Sequence, residues 1–86
     1  MPEINPKYKG SLCVAITESR GTYSLKAGTS HEELQSALVS DFERSGKEFE
    51  VIGVYENVNR EAADLLRYAA GRLELGKKID IERILQ

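Results

Sequence analysis

The chain has 86 residues, 41% of them hydrophobic and 30% charged, with a net charge of −2. That length gives one domain with a thin core, and the composition is globular rather than disordered. The slightly acidic balance lacks the basic excess on which sequence-independent nucleic-acid binding rests.

Residues 1–10 hold both prolines, a glycine and two lysines and read as an irregular N-terminal arm. Residues 11–86 form the α+β domain. In residues 11–18, Leu12, Val14 and Ile16 alternate with Cys13, Ala15 and Thr17, and neither set carries charge. The segment therefore reads as a central strand buried on both sides. Ser19-Arg20-Gly21 is a turn, and residues 22–27 return as a second strand with Tyr23, Leu25 and Ala27 on its inner face.

Ser30 opens the first helix, with Glu33 in the capping-box position. Leu34, Ala37, Leu38, Asp41 and Phe42 form its core stripe, and Gly46 suits the position just past its end. Residues 49–58 form a third strand, with Ile52 and Val54 on one face and Phe49, Val51, Gly53 and Tyr55 on the other. Asn57 or Asn59 caps a second helix over residues 60–75, which Gly76 stops. Asp80 caps a short final helix over residues 81–85.

The element order is therefore ββαβα, followed by a short C-terminal helix. A three-stranded antiparallel sheet in the order 2-1-3 makes every neighbour antiparallel and puts the most apolar strand in the middle. Both main helices are expected on one face of that sheet. Cys13, Ala15, Ile52 and Val54 on the other face then need a cover, either the terminal helix or a second copy of the chain.

The second helix is apolar over more of its circumference than a thin core requires. Tyr68, Arg72 and Leu75 lie on one flank, and the small Ala63 and Ala70 lie on the other. These residues are read as a protein interface, since Tyr and Arg commonly anchor such contacts and a two-fold dimer is its simplest form. The bland alternative places Tyr68 and Leu75 at the edge of the chain's own core.

Chemistry-bearing clusters are few, for the chain has one histidine, one cysteine and no tryptophan. His31-Glu32-Glu33 occupies one helical turn, where consecutive side chains splay apart, so it reads as a solvated helix start and not as a metal site. Cys13 reads as a packed thiol. Glu18, Glu50 and Glu56 near strand ends are read as surface charge. Tyr55, Asn57, Asn59 and Arg60 surround the start of the second helix and could hold an anionic ligand such as a nucleotide. Lys7 and Lys9 around Tyr8, with Arg72, Lys77, Lys78 and Arg83, form a weak candidate for nucleic-acid binding.

The reading is a small non-enzymatic protein-interaction module, self-associating, in an accessory or inhibitory role. The alternatives are an anionic-ligand binder and a weak nucleic-acid binder. No cofactor or metal is expected. The polar first residues and the lack of a run of about 20 apolar residues point to a cytoplasmic protein without a signal peptide or membrane span.

Overall fold

The structure, a computed structural model, describes residues 4–74 and 81–86. A 3-10 turn over Pro6–Tyr8 leads into β1 (Lys9–Ser19), β2 (Thr22–Gly28), α1 (His31–Ser45), β3 (Glu50–Val58), α2 (Arg60–Glu74) and α3 (Ile81–Ile84). The three strands form one antiparallel sheet in the order β2-β1-β3, so the expected α+β topology holds.

The local signals in the sequence act as physical chemistry requires. Arg20 and Gly21 both take positive φ, 52° and 82°. The Ser19–Thr22 pair closes around them as a two-residue hairpin turn whose twist matches the strands. The Gly21 amide donates to Glu18 Oε1 at 2.7 Å. Ser30 Oγ accepts from the Glu33 amide at 3.1 Å and caps α1. The Glu33 carboxylate departs from the capping-box pattern, because it accepts from Thr29 Oγ1 at 2.5 Å. Gly46 ends α1 in the left-handed conformation, donating to the Phe42 carbonyl at 2.8 Å.

One expectation is overturned. The two main helices lie on opposite faces of the sheet, not on one. Val14 and Ile16 of β1 pack with Ala62, Ala63, Leu66 and Ala70 of α2. Cys13 and Ala15, alternating with them, pack with Leu34 and Leu38 of α1. The cause is visible in β1 itself: both its faces are apolar, so both must be covered. Size sorts the partners. The larger strand residues meet mainly alanines of α2, with Leu66 among them, and the smaller ones meet the leucines of α1.

The α2 face is the better sealed. Ile4 and Tyr8 from the N-terminal segment, and Ile84 and Leu85 from the C-terminal one, close over the same core. Asn59 fastens this corner. Its Oδ1 accepts from the Ala62 amide at 2.9 Å and caps α2, while its Nδ2 donates to the Lys7 carbonyl at 2.7 Å. The Asn5 amide donates to the Leu85 carbonyl at 2.6 Å. From Ile4 onward, the segment expected to be irregular is thus tied down at both ends of the chain.

On the other face, α1 stands over β2 and β1 and scarcely touches β3. Its close approach depends on Gly28, where a Cβ would lie 2.7 Å from the Leu34 amide nitrogen. Lys26 of β2 reaches Asp41 of α1 at 3.3 Å and holds the helix on that side.

Candidate functional site

Among the described residues, six large hydrophobic side chains are exposed, and five of them belong to α1 and β3. They are Val39 (50%) and Phe42 (45%) on the helix, and Val51 (42%), Ile52 (44%) and Val54 (49%) on the strand. The register places Val54 opposite Ala15 and Val51 opposite Thr17, on the face that α1 covers elsewhere. A register shift between Ile16 and Thr17 inserts Ile52 as a bulge, so two consecutive β-branched residues interrupt the strand's alternation.

The result is a shelf. β3 forms its floor and the adjacent flank of α1 its single wall. Both ends are bracketed by contacts between the two elements. At one end the ring of His31 bonds the carboxylate of Glu56. At the other, Phe42 meets Phe49 edge to face with centroids 6.4 Å apart. Val39 sits farther out on the same flank, in a shallow depression shared with Glu32, Gln35, Ser36, Ser40 and Glu43.

The surroundings are acidic. From His31 to Val58, Arg44 and Lys47 are the only lysine or arginine residues, against seven carboxylates. Arg44 faces away toward β2 and pairs with Asp41 at 3.7 Å. Among the described residues, Glu32, Glu43 and Glu50 have no ion-pair partner.

The residues singled out on α2 are placed differently. Tyr68 is the sixth exposed hydrophobic, at 64%, and stands alone on the outer side of the helix. Arg72 lies over its ring at 5.8 Å and donates to its hydroxyl at 3.5 Å. Ala63 and Ala70 are buried in the chain's own core and present no side chain to a partner. Leu75 lies outside the described residues, as do Gly76, Lys77, Lys78 and Asp80.

The residues around the start of α2 do not converge on one pocket. Tyr55 packs against the α2 core, and Asn59 spends its side chain on the cap and on Lys7. Asn57, with φ of 57°, lines a depression with Ile4, Lys9 and Gly10. Arg60 lines a separate one with Thr29 and Glu33. Of the basic arm, Lys7 pairs with Glu61 at 3.6 Å and covers the Tyr8 ring at 5.6 Å. Cys13 is buried. No group of three or more His, Cys, Asp or Glu residues gathers to hold a metal among the described residues, and no helix there is long and apolar enough to cross a membrane.

The signal for the shelf was partly present in the sequence. Ile52 and Val54 stand out as apolar residues without an obvious cover, and Val39 falls off the core stripe of α1. What sequence periodicity does not carry is which strand a helix leaves bare. No protein family, curated protein or solved structure matches the chain.

Proposed function

We propose that this chain is a small non-enzymatic protein-interaction module that binds its partner on the shelf formed by β3 and the flank of α1. The observation that supports the reading is the exposure of Val51, Ile52 and Val54 on β3 and of Phe42 and Val39 on α1 beside it, while the rest of the described surface exposes Tyr68 alone among large hydrophobics. Contiguous apolar patches rimmed by polar residues mark interaction sites, whereas scattered single residues do not.

The shelf suits a different protein better than a second copy. A two-fold axis through Gly53 of an antiparallel β3–β3 contact sets Glu50 opposite Glu56 of the second copy, a like-charge pair made twice. An axis through Val54 sets Ile52 opposite Glu56 instead. The bulge also breaks the straight edge that strand pairing needs.

Affinity capture from the source cell with three baits tests the reading. Wild type and Tyr68→Ala are expected to retain the same partner, and Val54→Asp to lose it. Loss with Tyr68→Ala alone would move the surface to α2. Baits that retain indistinguishable proteins would end the interaction reading on this face.

A further inference from the structure

We infer that the occupant of the shelf is a basic amphipathic helix, laid along β3 beside α1, a proposal that rests on the interaction reading above. Shape argues for a helix. A helix with its side chains is about 10 Å across, and strands lie about 4.8 Å apart, so one helix covers about two strands. α1 occupies the β2 and β1 side of its face, which leaves β3 as a bare strip one strand wide, so a second helix laid there rests on β3, leans on the flank of α1 and overhangs the open edge. The strip spans Glu50 to Glu56, about 20 Å at strand rise, the length of a helix of about 14 residues. An added strand is the poorer fit, since the edge it would pair with is bulged at Ile52.

Charge argues for a basic partner. Glu32 and Glu43 stand beside Val39 on the helix side, and the strand end of the floor carries Glu56, which meets His31, while Arg44 is held by Asp41. Leucine or isoleucine at three- and four-residue spacing would fill the floor against Val51, Ile52 and Val54. Lysine or arginine on the flanks would meet the carboxylates. Such rim charges govern partner choice and encounter rate more than raw affinity.

The test uses the full chain and three synthetic peptides of about 14 residues. One carries leucines on one face and lysines on the other. A second has every lysine replaced by glutamate. A third has the lysine composition scrambled so that it forms no apolar face. Fluorescence anisotropy measures binding, and amide chemical shifts map it. The expected result is binding of the first peptide, with shifts at Val39, Phe42, Val51, Ile52 and Val54, and affinity about tenfold or more weaker for the other two. Glu32→Lys with Glu43→Lys, both exposed, should narrow or invert the lysine-to-glutamate preference.

Equal binding of both charged peptides on those residues overturns the basic partner and leaves the interaction reading standing. Shifts elsewhere, or no binding by any peptide at millimolar concentration, overturn the helix site. Sedimentation as a dimer that Val54→Asp converts to a monomer would assign the shelf to a second copy and overturn it as well.

Discussion

The two faces of this sheet share a central strand, yet they are finished differently. On the Val14–Ile16 face, α2, Ile4, Tyr8, Ile84, Leu85 and Tyr55 close over one core, and Asn59 binds the N-terminal segment to α2. On the Cys13–Ala15 face, α1 is the cover among the described residues, standing over β2 and β1 and meeting β3 only at its margin. The first face holds the larger buried cluster among the described residues. The second leaves Phe42, Val51, Ile52 and Val54 exposed.

Six substitutions break or sharpen this contrast, the largest effect first. Leu66→Ala removes a fully buried side chain from the sealed face and should cost about 2–5 kcal/mol. Leu34→Ala, under α1, should cost less, since the half-covered face can collapse around the gap. Urea unfolding of both measures the difference, and equal losses would deny that the faces differ. Gly28→Ala places a methyl against the Leu34 amide and should cost about 1–3 kcal/mol by lifting α1 from β2. Its thermal midpoint should fall, and Leu34 amide exchange should quicken. Asn59→Ala loses the α2 cap and the link to Lys7, for about 1–2 kcal/mol. Amide exchange should rise at Ala62 and Asn5 and stay unchanged along α1. Smallest of all, Val54→Thr and Ile52→Asp should move stability by no more than about 0.5 kcal/mol, because both side chains already face solvent. A larger loss would mean that the shelf is part of the core.

Much of the fold could be read directly from the chain. The Ser30 cap, the Gly46 stop and the Arg20-Gly21 turn are each decided within a few residues, and the strand order followed from antiparallel pairing around the most apolar strand. The helix placement was not legible, because a strand apolar on both faces says only that two covers exist. Which helix takes which face depends on side-chain volume matched across the sheet, a long-range property. The bulge at Ile52 was invisible for the same reason, since it is defined by register against β1. The candidate site was half legible: Ile52 and Val54 signalled an uncovered surface. The small residues of α2 were harder to read, because Ala63 and Ala70 serve tight internal packing.

The irregular register of β3 also bears on solubility. The run from Val51 to Tyr55 has the β-branched and aromatic make-up of segments that stack into fibres. Here it is kinked at Ile52 and closed off by glutamates at positions 50 and 56, which act as gatekeepers against end-on growth. Both features oppose the stacking of β3 from one copy onto β3 of another.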